Sequence, residues 1–213
     1  TKAVILSINS PGGSPVQSSN LNKEIWRLRQ EFPDKNIYAV IQDICASGGY
    51  YVASAANKIF ANESSLVGSI GVRFDSFGFV GSLERLGIER RLITAGEHKG
   101  MLDPFLPTED LEVNHIKDLL SEIHDNFKRS VIEGRGEKIK NREQELFTGK
   151  IWTGNRGIEL GLVDALGSVD HVARNIIKAE KIVSFTKEKF PWEERLGLEL
   201  KKVFNQWSGL FIW

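Results

Sequence analysis

The sequence predicts an α/β protein built mainly on parallel strands. Two observations carry that prediction. Short apolar, β-branched runs alternate with segments of helical spacing, and Gly-, Pro- or Asn-rich breaks of turn length separate them. Composition agrees: 41% of the 213 residues are hydrophobic, enough for a buried core and too many for a disordered chain. Lysine plus arginine number 28 and aspartate plus glutamate 28, so the charges cancel. A nucleic-acid binder needs a basic excess to displace counterions, and none exists here. The single cysteine, Cys45, excludes a disulfide scaffold. The longest apolar runs, such as Ala3–Leu6, fall far short of the ~20 residues of a spanning helix. Thr1 leads straight into a strand-like run, which reads as a piece of a longer protein whose upstream segments are not in view.

The elements follow in order. Ala3–Ile8 reads as a buried strand entering the turn Asn9-Ser10-Pro11-Gly12-Gly13. Leu21, Ile25, Trp26 and Leu28 give helical spacing to Val16–Phe32, which Pro33 ends. Ile37–Ile41 is a second strand. Asp43-Ile44-Cys45-Ala46-Ser47-Gly48-Gly49 follows it, and the small apolar run Tyr50–Ala56 suits a closely packed helix. Lys58–Ala61, Val67–Val72, Phe77–Val80 and Leu92–Thr94 read as short strands, with a helix at Ser82–Leu86. Leu111, Ile116, Leu119, Leu120, Ile123, Phe127 and Val131 line one face of a long amphipathic helix that Gly134 and Gly136 stop. Thr153–Leu160 and Val169–Lys178 are further helices. The tail from Pro191 to Trp213 holds three of the five tryptophans and reads as an amphipathic helix, packed on its own core, at a membrane surface or at a subunit interface. The expected division is residues 1–190 as one domain and residues 191–213 as this tail, in the same domain or as an interface element.

Chemistry has two candidate seats. Ser47 lies where a strand turns into a helix, with glycines after it that let a substrate backbone approach. The bland reading is a serine cap of the helix. The turn at Gly12-Gly13 offers backbone amides to an oxyanion, or is an ordinary Pro-Gly turn; no P-loop pattern follows it. A nucleophilic serine needs a base. His115, His124 and His171 fall on helical segments and read as solvated side chains, which leaves His98 and Lys99 in the loop Gly96–Gly100. A lysine serves when burial brings its pKa towards ~7–8. Residue chemistry alone does not choose between the two. No metal-ligand cluster and no cofactor fingerprint is visible, so no cofactor is expected.

The runs Asn9–Gly13, Asp43–Tyr51 and Gly68-Ser69-Ile70-Gly71-Val72, followed in the same order by Phe147–Gly154 and Leu160–Asp164, resemble signal peptide peptidase A. That family of serine-lysine proteases also contains the SohB type. The match extends from residue 3 to about residue 175. The resemblance implies the Clp-protease/crotonase fold, a superhelix of ββα units, here with the first strands missing. It implies Ser47 as nucleophile and Lys99 as general base. Gly13 and Gly48 match the oxyanion-hole amides, and Ser69 matches a serine that orients the lysine. It further implies a homo-oligomer, in some members with serine and lysine from neighbouring subunits. Its substrates would be residual signal peptides or other membrane-derived or unstructured peptides. It implies association with the bacterial cytoplasmic membrane through a segment upstream of Thr1, this stretch itself being soluble. His98 stands where many relatives have an aromatic residue, which keeps a Ser-His peptidase of Clp type open. A crotonase-like acyl-CoA enzyme, a triad using Asp43 and a silent scaffold are the other readings.

Overall fold

A computed structural model describes residues 1–186. The strands are β1 (Val4–Ser10), β2 (Ile37–Ala46), β3 (Lys58–Ala61), β4 (Leu66–Gly68), β5 (Ile151–Thr153) and β6 (Ala165–Leu166). The helices are α1 (Pro15–Glu31), α2 (Gly48–Ser54), α3 (Val80–Leu86), α4 (Asp110–Arg135), α5 (Glu143–Leu146), α6 (Gly154–Glu159) and α7 (Val169–His171), the last continuing as a π-helical turn over Val172–Ile177. The chain divides into two compact units, Thr1–Ala179 and Glu180–Trp213, and every element named here lies in the first. The tail from Pro191 to Trp213 lies outside the described residues.

β2 organises the sheet. It pairs in parallel with β1, with β3 over Tyr38–Val40 and with β4 over Ile44–Ala46. β6 extends the sheet in parallel from β3, and β5 closes the other side antiparallel to β4. The sheet is therefore mixed, and the fold is α/β of the Clp-protease/crotonase type. Alternation along β2 shows why the strand is apolar throughout. Ala39 and Ile41 face a core with Tyr50, Ile59, Val67, Phe127, Val131 and Leu162, while Tyr38 and Val40 face Phe60 and Val172 on the other side. A strand covered on both faces reads as a continuous hydrophobic run. Burying each such aliphatic side chain contributes roughly 1.5–3 kcal/mol.

Local chemistry sets the helix ends. Ser14 accepts the Gln17 N–H on its hydroxyl and Pro15 opens α1 with its φ already helical. In α4 the Glu109 N–H donates to the Glu112 carboxylate at 3.3 Å. α4 does not stop at Gly134. That glycine lies inside the helix where it crosses α2, and a Cβ there would stand 1.9 Å from the Ser54 carbonyl oxygen. The stop is Gly136, with φ of 51°.

Two expected strands are absent. Phe77–Val80 and Leu92–Thr94 belong to no strand, because no sheet edge reaches them; apolar β-branched residues make a strand only where a partner stands. They fall instead in an arm from about residue 73 to residue 109, which packs mostly on itself. Phe79 stacks on Phe105 at 5.4 Å, Arg90 pairs with Asp103 at 2.7 Å, and α3 ends on a left-handed Gly87. Val67–Val72 also stops early as a strand, since positive φ at Gly68 (104°) and Ser69 (52°) turns the chain out of the sheet. β5 and β6, with three and two residues, are too short to carry a periodic signal.

Candidate active site

Three parallel strands deliver the site. Ser10 of β1 registers with Cys45 of β2, and Ala46 of β2 with Gly68 of β4. The turn after β1, Ser47 after β2 and Ser69 after β4 consequently come off the same edge side by side. Together with Tyr51, Ile123, His124, Phe127 and Phe147 they line a cavity of about 750 Å³.

Ser47 has φ of 50° and ψ of −122°, a conformation that non-glycine residues rarely hold. It sits at the cap position of α2, yet its side chain makes no capping hydrogen bond. The capping role therefore does not account for it. Its backbone is pinned instead: its N–H donates to the Gly68 carbonyl at 2.8 Å and its carbonyl accepts the Tyr51 N–H at 2.9 Å. A strained serine on a pinned strand-to-helix turn, with its hydroxyl uncommitted, is the geometry of a nucleophile elbow without the usual flanking sequence.

The glycine turn packs directly beneath it. Gly12 has φ of 117°, and a Cβ there would stand 2.8 Å from the Ser47 Cβ and 3.1 Å from the Gly48 nitrogen. A Cβ on Gly48 would lie 3.2 Å from the Gly13 nitrogen. The amides of Gly13 and Gly48 thus stand close together at the mouth of the elbow, and both residues line the cavity. Gly12→Ala is expected to lower stability by roughly 1–3 kcal/mol through strain at this φ. It should cut reaction of Ser47 with serine-directed reagents at the same time. Thermal unfolding and labelling rates check both; a normal labelling rate would show that the turn does not support the elbow.

Ser69 lies on the cavity wall, its N–H donating to the Lys150 carbonyl at 2.7 Å. The structure thus brings Ser47, Gly13, Gly48 and Ser69 together. Lys99 and His98 are elsewhere: both are exposed in the arm, and neither lines the cavity. Asp43 is exposed, accepts the Asn9 side-chain amide at 2.9 Å and borders a separate depression with Asn62 and Ser65. It does not join Ser47. Cys45 is a packed core residue whose thiol burial pushes far up, away from redox chemistry. The residue that sequence reasoning passed over is His124. Its helical position predicts a solvated side chain; it is instead partly buried in the cavity wall with Nε2 3.1 Å from the Ile70 carbonyl oxygen. Its neighbours on the stripe, Ile123 and Phe127, were the signal that this turn of α4 faces inward. Among the described residues no group of His, Cys, Asp and Glu could hold a metal ion, and no helix is long and apolar enough to cross a membrane.

An uncommitted serine at a strained elbow beside two glycine amides, on a fold of the Clp-protease/crotonase type, defines a class of site suited to acyl transfer through a serine nucleophile. Comparison with known proteins narrows it: residues 29–183 match the family model described as Peptidase family S49, and the chain belongs to that family. Among its relatives, the Arabidopsis thaliana protein named Serine protease SPPA, chloroplastic is 32% identical over 169 residues, 79% of this chain and 24% of its own length. Protease 4 of Haemophilus influenzae is 31% identical over 187 residues, 86% of this chain and 29% of its own. The Na(+)/H(+) antiporter NhaA of Brucella melitensis is 45% identical over 167 residues, 78% of this chain. That match occupies only 22% of the antiporter, so its transport function is not carried across. The chain spans less than a third of the length of each of these three relatives.

Proposed function

We propose that this chain is the catalytic portion of a serine endopeptidase in which Ser47 is the nucleophile and Lys99 the general base. The observation that carries the reading is the strained, uncapped Ser47 set against the Gly12-Gly13 turn. Neutral Lys99 takes the Ser47 hydroxyl proton as Oγ attacks a peptide carbonyl carbon. The Gly13 and Gly48 amides hold the oxyanion that forms; one such donor is worth ~3–4 kcal/mol of barrier. The C–N bond then breaks, the Lys99 ammonium protonates the leaving amine, and an ester remains on Ser47. Water, losing a proton to Lys99, attacks that ester; the acyl C–Oγ bond breaks, the carboxylic acid leaves, and the Lys99 ammonium returns the proton to Ser47 Oγ. Ser69 orients the lysine amine.

An amine works as a base only when stripped of water, and Lys99 stands on an exposed loop. The reading therefore takes Lys99 from a neighbouring copy in a homo-oligomer, where contact would bury it. Uncovered apolar surface supports such an assembly: Phe77 is 79% and Ile93 96% exposed in the arm, and Leu111 and Leu119 of α4 are exposed as well. The aromatic and aliphatic cavity wall of Tyr51, Ile123, Phe127 and Phe147 suits apolar side chains of extended peptides, consistent with residual signal peptides or other membrane-derived or unstructured segments. Association with a membrane belongs to the same reading.

The test is mass spectrometry after treatment with a fluorophosphonate. A single adduct on Ser47 is expected in the wild type, strongly reduced in Lys99→Ala. An adduct on another serine, or none, would remove Ser47 as nucleophile.

A further inference from the structure

His124 is the one histidine at the cavity, and its position relative to Ser69 is specific. The Ile70 carbonyl can only accept, so Nε2 of His124 carries the ring proton and donates it at 3.1 Å. Ile70 directly follows Ser69, whose φ of 52° is strained. Such conformations persist only where the surroundings over-determine them. Here the restraints are the Ser69 N–H donating to Lys150, the Gly71 N–H donating to the Ser69 carbonyl at 2.9 Å, the Gly149 N–H donating to the Ile70 carbonyl at 3.2 Å, the buried Ile70 side chain, and His124 donating to the Ile70 carbonyl. The bonds to Lys150 and from Gly149 involve the chain leading into β5, and Ile70 shares a buried core with Phe127 and Val131 of α4. His124 supplies the side-chain hydrogen bond among these restraints, and it comes from α4.

We propose that His124 is a positioning residue. Its Nε2–H bond to Ile70 fixes the conformation of Ser69 and thereby the direction in which the Ser69 hydroxyl points. This rests on the peptidase reading for its consequence in turnover, though not for the tether itself. The fold does not depend on the bond, because the Ile70 carbonyl keeps the Gly149 N–H when His124 is lost. The effect therefore falls on alignment of the site and leaves stability nearly unchanged.

The experiment is a double-mutant cycle in the full chain with a fluorogenic peptide. His124→Ala is expected to lower kcat about tenfold, the value of one hydrogen bond, with KM and thermal midpoint little changed. His124→Gln, whose amide can donate to the same carbonyl, is expected to regain most of the rate. In a Ser69→Ala background, His124→Ala should cost nothing further. Independent multiplication of the two losses overturns the proposal, and so does a Gln variant as inactive as Ala, which would mark the ring as a base. Amide hydrogen exchange at residues 69–71 reads the tether without turnover. It should accelerate in His124→Ala and recover in His124→Gln, and unchanged exchange also overturns the proposal. A wild type that cleaves no peptide counts against the peptidase reading, and exchange still decides the tether.

Discussion

Ser47→Ala and Lys99→Ala are each expected to lose peptide hydrolysis, and a mixture of the two inactive variants is expected to regain part of it. Replacing the nucleophile removes the acyl-enzyme route altogether, a loss on the order of 10⁶-fold in kcat in well-studied serine proteases. Removing the base leaves the hydroxyl and the oxyanion amides in place, so a smaller loss, about 10²–10⁴-fold, is expected. Recovery on mixing follows from the proposed assembly: Ser47 lines the cavity and Lys99 does not, and if a neighbouring copy supplies the lysine, an oligomer containing both variants pairs an intact serine with an intact lysine. His98→Ala, one residue away, should keep most activity. Subunit exchange must be verified by mass, since recovery is expected only in mixed oligomers. No recovery in verified mixed oligomers would place Lys99 within its own chain's site. An active Lys99→Ala together with a dead His98→Ala would overturn the dyad and restore the Ser-His reading.

What the sequence disclosed and what it hid divide along physical lines. The elbow at Ser47 and the Gly12-Gly13 turn are local: small residues and turn chemistry announce them within five or six positions. The strands that carry them are continuous apolar runs, equally plain. The bend at Ser69 is not, because Val67–Val72 carries the pattern of a strand and the positive φ at Ser69 leaves no mark in it. The arm misled because apolar alternation at Phe77–Val80 and Leu92–Thr94 says nothing about whether a partner strand is present. His124 is harder to read: Ile123 and Phe127 show that this turn of α4 faces inward, but which carbonyl the ring meets depends on where α4 crosses the turn after Ser69, a long-range fact. The stretch Leu160–Asp164, notable only for its resemblance to a family, turned out to be structural. Gly161 and Leu162 offer carbonyls to Arg135 and Tyr50, and Asp164 receives the Arg135 side chain.

That last contact carries the largest expected effect on stability. The side chain of Arg135, at the end of α4, has no exposed surface, and it donates to Asp164 at 2.9 and 3.2 Å and to the Gly161 carbonyl at 2.8 Å. Asp164 also accepts the Ile59 N–H at 2.7 Å and the Lys138 ammonium. The network ties α4 to β3 and to the turn before β6, and α4 brings Ile123, His124 and Phe127 to the cavity. Burial pushes the Asp164 carboxyl up, but Arg135, Lys138 and the Ile59 amide together hold it below the ordinary carboxylate range. Removing one member of a buried pair strands the other, so Arg135→Ala is expected to cost about 3–5 kcal/mol, a fall in Tm on the order of 10 °C. The pH dependence has a definite sign. Because the folded carboxyl is more acidic than the unfolded one at about 3.9, its contribution is complete above roughly pH 5 and is lost as pH falls through the depressed folded value. The stability gap between wild type and Asp164→Asn should therefore stay constant from pH 8 to 5 and narrow below about pH 4. A gap that widened on acidification would mean that the folded state holds this carboxyl protonated, and that α4 is anchored by packing alone.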